Sequence, residues 1–254
     1  MYNLYLDAAT LVFWFMVIWF FVAQLKGDNS IVDVAWGLGF VVVAWWMHRF
    51  YYLPTLLLWM VAIWGLRLAW HILKRNLKTG EDWRYRKWRE EWGKWAFIRS
   101  FFQVFMLQGI FMWVVALPIM QDAKAGDQSG LGLFQWLGFL LWLIGFLWEA
   151  IGDWQLARFK SNPQNKGKIM TTGLWKLSRH PNYFGEMVLW WGIFIFTIPH
   201  GAWWLGLLGP LTVTWLLNRV SGVPMLEKKY EENAAYQAYV KSTNALLPDF
   251  SKLF

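Results

Sequence analysis

The sequence predicts an all-α integral membrane protein of seven transmembrane helices, with its N-terminus outside and its C-terminus in the cytoplasm. Three observations predict it. Of 254 residues, 57% are hydrophobic and 16% charged, against about 25% charged in soluble chains. Apolar stretches near the roughly 20 residues that a bilayer demands recur along the chain, separated by short polar segments. Charge placement agrees. If every stretch crosses, one side collects Lys26, nine Lys/Arg between Lys74 and Arg99, six between Arg158 and Arg179, and five from Arg219 to Lys252. Arg49 and Lys124 fall on the other side and Arg67 within a span. The positive-inside rule assigns the basic side to the cytoplasm.

The spans follow in order. The first, residues 4–25, carries no charge after Asp7, and the second, 31–49, has Asp33 near its start. The third, 54–73, opens on a proline suited to a first helical turn and carries Arg67 and His71. A polar stretch to Lys94 leads to the fourth, 97–120, and residues 121–130 (QDAKAGDQSG) read as a short polar loop. The fifth, 133–151, runs into Glu149 and Asp153. The sixth, 183–199, and seventh, 202–218, form a tight hairpin around Pro199-His200-Gly201. The whole chain, 1–254, reads as one membrane domain.

Composition also excludes chemistry. With no cysteine, a disulfide scaffold, a thiol nucleophile and a cysteine zinc site are ruled out. Four scattered histidines (His48, His71, His180, His200) cannot form the clustered boxes of a di-iron site. The net charge of +8 reads as topology and lipid-headgroup attraction, with no nucleic-acid partner.

Ionisable groups inside a bilayer cost about 2.5–3.5 kcal/mol on insertion scales, so they are the first functional candidates. Asp33 and Trp36, three apart, share a helical face; Arg67, His71 and Arg75 form a stripe at spacing four. Glu149 and Asp153 repeat that spacing, with Lys160 two turns on. A polar cavity open to the cytoplasm explains all three stripes. Structural ion pairs, Arg67 with Asp33 or Glu149, explain them too. The run Gly80-Glu81-Asp82-Trp83-Arg84-Tyr85 reads as a solvated helix face or as a lid that turns Arg84 and Tyr85 inward.

The densest motif is Ser178-Arg179-His180-Pro181-Asn182-Tyr183-Phe184-Gly185-Glu186. Pro181 starts a helix, Asn182 is placed as its N-cap, and the helix N-terminus is an anion seat. Arg179 beside it can hold a phosphate or carboxylate bidentately.

SRHPNYFGE, the Glu149–Asp153–Lys160 stripe, SIVDVAW (30–36) and GEDWRY (80–85) together resemble the bacterial members of the steroid 5α-reductase family, over essentially the whole chain. The ending from Tyr236 to Pro248 is also similar to that family's. The resemblance implies a reductase in the bacterial inner membrane that binds NADPH on the cytoplasmic side. It passes hydride to the β-carbon of an enone, typically a 3-oxo-Δ4 steroid. Residues 1–120 form the substrate side and 121–254 the cofactor side.

Asp153 then matches an aspartate near the adenosine half of the cofactor, and Lys160 and Lys168 fall where phosphate-contacting arginines are expected. Asn182 matches an asparagine at the nicotinamide carboxamide and Glu186 a buried glutamate below it. Arg67, His71, Glu149, Arg179, His180, Tyr183 and Tyr239 complete the expected cofactor set. The lysines keep the charge of arginine but lose its planar fork. The family's carbonyl-binding Gln-Glu pair is not visible, and Val223-Pro224-Met225-Leu226-Glu227 stands where a His and a Tyr are expected.

The chemistry requires a donor to the carbonyl oxygen as enolate charge develops. Asp33 or Glu81 with Tyr85 supplies it, and Trp36 helps wall the substrate. The partners implied are a lipophilic small molecule and membrane lipids, with the protein a monomer.

The Arg-His-Pro-x-Tyr-x-Gly segment also resembles S-adenosylmethionine-dependent membrane methyltransferases of the isoprenylcysteine carboxyl type. On that reading Glu227 and Glu231 hold the methyl donor. A channel or receptor is the third reading. It predicts polar groups toward both membrane faces, whereas these gather on one.

Overall fold

The computed structural model describes residues 3–125, 131–200 and 202–253. Among them every regular element is helical. Five helical stretches are long and apolar enough to cross a bilayer: Leu4–Lys26, Ile31–Tyr51, Thr55–Thr79, Trp83–Val115 and Leu133–Ser161. The later helices are shorter, the longest being Pro181–Thr197. The chain divides into two compact units, 1–130 with 197–209, and 131–196 with 210–254.

In the first unit, α1 (Leu4–Lys26) starts on Asn3, whose side chain accepts from the Tyr5 N–H, and stops at Gly27 in the left-handed region, φ 64°. Helices α2 (Ile31–Tyr51) and α3 (Thr55–Thr79) form a hairpin. They touch backbone to backbone, since a Cβ on Gly37 would lie 2.5 Å from the Gly65 carbonyl oxygen and the reverse holds equally. Phe20 of α1 is buried among the rings of Phe97, Phe101 and Phe105, with centroids 5.0, 5.1 and 5.5 Å away.

The stretch after α4 (Trp83–Trp92) and α5 (Ala96–Arg99) passes through a π-helical segment, Ser100–Met106, into α6 (Leu107–Val115). The fourth span expected to reach 120 breaks at Ala116. Pro118 supplies no N–H and crowds the preceding turn, so a new helix, α7 (Leu117–Ala125), begins there. Helix α7 also corrects the expected loop at 121–130. Residues 121–125 are helical, and Gln121 and Asp122 are buried. Each has a partner that offsets its desolvation: Gln121 Nε2 donates to the Tyr5 hydroxyl at 2.5 Å, and Asp122 Oδ1 pairs with His200 Nδ1. The rest of that loop, 126–130, and Gly201 of the expected hairpin lie outside the described residues.

The second unit is organised by α8 (Leu133–Ser161) and α10 (Pro181–Thr197), with α9 (Leu174–Leu177) between them. Gly138, Gly145 and Gly152 on α8, and Gly185 and Gly192 on α10, recur every seven residues, two turns apart on one face. A Cβ on Gly138, Gly145, Gly185 or Gly192 would lie 2.4 Å from a backbone nitrogen of the facing helix. In a bilayer, where helix association rests on packing, such small residues let the backbones meet. Helix α11 (Trp203–Gly206) belongs to the first unit. Helix α12 (Leu208–Trp215) begins there and continues into the second. After it, α13 (Val223–Lys229) and α14 (Ala234–Ser242) complete the second unit.

Candidate functional site

In the first unit the start of α2 and the start of α4 meet. Asp82 caps α4 by accepting from the Arg84 N–H at 3.0 Å. Burial alone raises the Asp82 carboxyl, but hydrogen bonds and charge from Arg84, with Arg75, outweigh it and hold the group below the ordinary aspartate range. Tyr85 follows on the inner face of the first turn and is buried. Its hydroxyl donates to Asp33 Oδ1 at 2.5 Å and accepts from Gln108 Nε2 at 3.2 Å. Arg84 Nη2 donates to the other Asp33 oxygen at 3.0 Å, and Arg75 Nη2 lies 3.9 Å away. The sequence stripe on α3 thus joins Asp33 through Arg75, while Arg67 and His71 are half-buried on the same helix. Trp36 sits one turn beyond Asp33, edge-on to Phe40 at 5.0 Å.

Asp33 and Tyr85, 52 positions apart, are brought together as a pair. Asp33 accepts from both Tyr85 and Arg84, so it is the hydrogen-bond acceptor of the cluster and Tyr85 one of its donors. Glu81 is turned elsewhere. Oε1 accepts from the Asn29 N–H at 3.1 Å and Oε2 from Arg89 at 2.6 Å, so it ties the loop before α4 to the entry of α2. Gln108 was not predicted. Its spacing to Tyr85 has no helical meaning, so only the fold reveals it.

In the second unit, the motif before α10 does not form the expected seat. The helix begins at Pro181, which has no N–H to leave unsatisfied, so Asn182 lies inside the first turn rather than at the cap. Its Nδ2 donates to Asp153 Oδ1 at 3.1 Å, which turns its Oδ1 the other way, buried and without a hydrogen-bond partner. Arg179 is buried and spent on the protein itself. Nε and Nη2 donate to Glu227 Oε1 at 2.8 and 2.6 Å, and Nη1 donates to the carbonyls of Val240 (3.2 Å) and Thr243.

His180 Nε2 lies 3.2 Å from the same Glu227 oxygen, and its ring stacks on Tyr183 at 5.5 Å. Burial by itself raises the Glu227 carboxyl, yet hydrogen bonds from His180 and Arg179 and their charge hold it below the ordinary glutamate range. Tyr236 beside this group is pushed up to about 12 by burial and by Glu227. The Tyr239 hydroxyl donates to the carbonyls of Trp175 and Ser178, anchoring α14 to the turn after α9.

Glu149 and Glu186 are buried, Glu149 in the glycine seam where a Cβ on Gly185 would meet its backbone nitrogen at 2.4 Å. Lys160 and Lys168 are exposed. A groove of about 460 Å³ runs along the end of α8 and the segment after it, lined by Gln155, Arg158, Asn162, Asn165 and Thr172 among others.

Against this geometry, a family model described as "Protein of unknown function (DUF1295)" matches residues 19–243. The chain belongs to this family. The DUF1295 family is a steroid 5α-reductase-like membrane family. The chain is 24% identical over 203 residues to an uncharacterised protein, C594.04c, of Schizosaccharomyces pombe, covering 68% of this chain and 57% of that one. It is 35% identical over 72 residues to a probable O-methyltransferase, ustE, of Ustilaginoidea virens, covering 28% of this chain and 25% of that one. The chain thus spans little more than half the length of the first relative and a quarter of the second. No solved structure matches.

Proposed function

We propose that this DUF1295 protein reduces the C4–C5 double bond of a 3-oxo-Δ4 steroid, or of a similar lipid enone, at the expense of NADPH. We further propose that it does so as a seven-span monomer of the bacterial inner membrane with its cofactor groups toward the cytoplasm. The observation that carries the reading is the Tyr85 phenol, buried with Asp33 on one side and Gln108 on the other. Bound NADPH supplies the hydride that goes to the β-carbon. Tyr85 rotates its O–H from Asp33 to the carbonyl oxygen and passes its proton there as negative charge collects; the enol so formed returns that proton to the phenolate and takes one from solvent at the α-carbon, giving the saturated ketone. Arg84 keeps Asp33 oriented beneath it. Trp36, braced edge-on by the buried Phe40, is the aromatic side chain offered to a flat apolar substrate.

The residues of the second unit fit the cofactor. The stranded Asn182 Oδ1 is an acceptor for a carboxamide N–H, with Asp153 fixing the amide that carries it. Lys160 and Lys168 are exposed cations near the end of α8 and in the segment after it, suited to phosphates. Glu149, Glu186, His180, Tyr183 and Tyr239 act by holding this region in shape.

One observation favours a second reading, methyl transfer from S-adenosylmethionine. Glu227 stands against both Arg179 and His180, where that reading expects an acid, and the chain resembles a protein named as a probable O-methyltransferase. Thermal stability of the detergent-purified protein with NADPH, NADH and S-adenosylmethionine separates the two. Stabilisation by NADPH and turnover of a steroid enone are expected. Stabilisation by S-adenosylmethionine alone overturns the reductase reading. Tyr85→Phe keeps the NADPH shift and loses about 10²-fold or more in turnover; unchanged turnover removes Tyr85 as donor.

A further inference from the structure

We propose that Gln108 is a positioning residue for the Tyr85 phenol, delivered to it by the π-helical segment Ser100–Met106; the proposal rests on the reductase reading and deepens it. The phenol O–H is given to Asp33, and the carboxylate can only accept. Any further partner of the phenol oxygen must therefore be a donor. The Gln108 amide meets that demand with Nε2 at 3.2 Å, which also settles which way round the amide lies. With the phenol held from two sides, its proton faces one acceptor and its oxygen one donor. When the proton leaves for the substrate, the Gln108 N–H is already aimed at the oxygen that gains charge, so no group must reorganise at that moment.

The backbone explains how Gln108 comes to be there. A π-helical segment closes its turns one residue later than an α-helix. Everything beyond it is therefore rotated by about 100° relative to an unbroken α register. At the segment's start Ser100 is buried, and its Oγ accepts from Asn29 Nδ2 at 2.8 Å. Two residues past its end stands Gln108. In a plain α-helix that kept Ser100 on Asn29, Gln108 would be turned by about 100° from the direction in which it meets Tyr85. The wide segment reconciles both contacts. It ties the entry of α2, which carries Asp33, to the same helix that carries Gln108. The Asn29 N–H donates to Glu81 as well, so the segment before α4, the Asp33 carboxylate and Gln108 share one bonded frame.

The test uses the full-length protein in detergent, with Gln108→Leu to remove the donor and Gln108→Glu to keep size and polarity while placing an acceptor there. Expected in both is a fall in kcat of about 10- to 100-fold. KM and the NADPH-induced thermal shift should stay within a factor of about two of the parent protein. The solvent deuterium isotope effect on kcat should grow, because the proton step is the one slowed. A readout free of activity is the hydroxyl-bearing carbon of Tyr85, followed by NMR on isotopically labelled tyrosine and assigned by its loss in Tyr85→Phe. Its resonance moves in Gln108→Leu if the donor is lost.

Turnover and resonance both at parental values in a folded Gln108→Leu overturn the proposal. So does a loss expressed in KM alone. A resonance that moves while even the parent protein reduces no enone sinks the reductase reading and leaves the positioning contact standing. Enone turnover with an unmoved resonance does the opposite.

Discussion

The two polar clusters of the molecule are built from opposite balances of charge. In the second unit, Arg179 directs four of its five N–H groups to Glu227 and two backbone carbonyls, although it sits in the densest motif of the sequence. In the first unit, Asp33 gathers Arg84 and the Tyr85 hydroxyl, and the phenol oxygen in turn accepts from Gln108. The contrast teaches that motif density marks where the chain is constrained, and that constraint is not reactivity. The Arg179 guanidinium clamps the turn before α10 to the C-terminal segment. There the Arg179 and His180 N–H groups donate to the carbonyls of Asn244 and Ala245 at 2.9 and 3.0 Å. The helix seams differ in the same sense. α2 and α3 touch at one reciprocal glycine pair, whereas α8 and α10 touch along a repeat of five glycines.

The largest effect expected is therefore Gly145→Leu. Its Cβ would fall 2.4 Å from the Leu189 backbone nitrogen, which cannot step aside without parting α8 from α10. Loss of the monodisperse peak on size-exclusion chromatography in detergent is expected. Gly167→Ala, at φ 79° with open space around it, serves as the control. It should cost only about 1–2 kcal/mol of backbone strain and leave that peak in place.

Next comes Glu227→Ala, which strips a buried guanidinium of its counter-charge. A loss near about 3 kcal/mol is expected, at the lower end of the range for broken buried pairs because Glu227 itself is partly exposed. Thermal unfolding reads it directly. Asp33→Asn should invert the pattern, lowering enone turnover by about 10²-fold while costing less in Tm than Glu227→Ala. Equal Tm losses with parental turnover would erase the distinction between a clamp and a reactive cluster.

The pH dependence is smaller and has a definite sign. Glu227 sits below its ordinary range in the folded state, so its pair contributes fully above that range and is lost as pH falls through the lowered folded value. Melting curves from neutral to acidic pH should show a Tm decline in the parent that is shallower in Glu227→Gln. The smallest effect belongs to Lys87→Ala. Its pair with Glu91 spans 3.8 Å on an exposed face, and removing it should change stability by less than about 0.5 kcal/mol.

Much of this was legible in the residues. Asp33 stood out because an ionisable group beside an apolar run is costly, Trp36 by its spacing from Asp33, and Tyr85 by the polar run 80–85; the structure pairs Asp33 with Tyr85. The spacing of Glu149 and Asp153 placed both on the buried face of α8. The seven-residue glycine spacing carried no expectation, because nothing local says which helix it meets; the structure gives it meaning as the seam of α8 and α10. Arg179 misled, because a basic residue before a helix N-terminus looks the same whether it waits for an anion or has found Glu227, 48 positions on. Gln108 left no signal, since an amide in an apolar helix is ordinary and a π-helical segment has no pattern of its own.

What the sequence determined by itself was the class: too few charges to coat a soluble globule, and apolar lengths matched to a bilayer. Those are sums over many residues, and sums survive without coordinates. The tertiary structure alone decided which charges cancel and which remain available, because a hydrogen bond is a matter of a few tenths of an ångström between atoms remote in sequence. The break at Ala116, the buried Asp122–His200 pair and the two-sided hold on Tyr85 were settled at that scale.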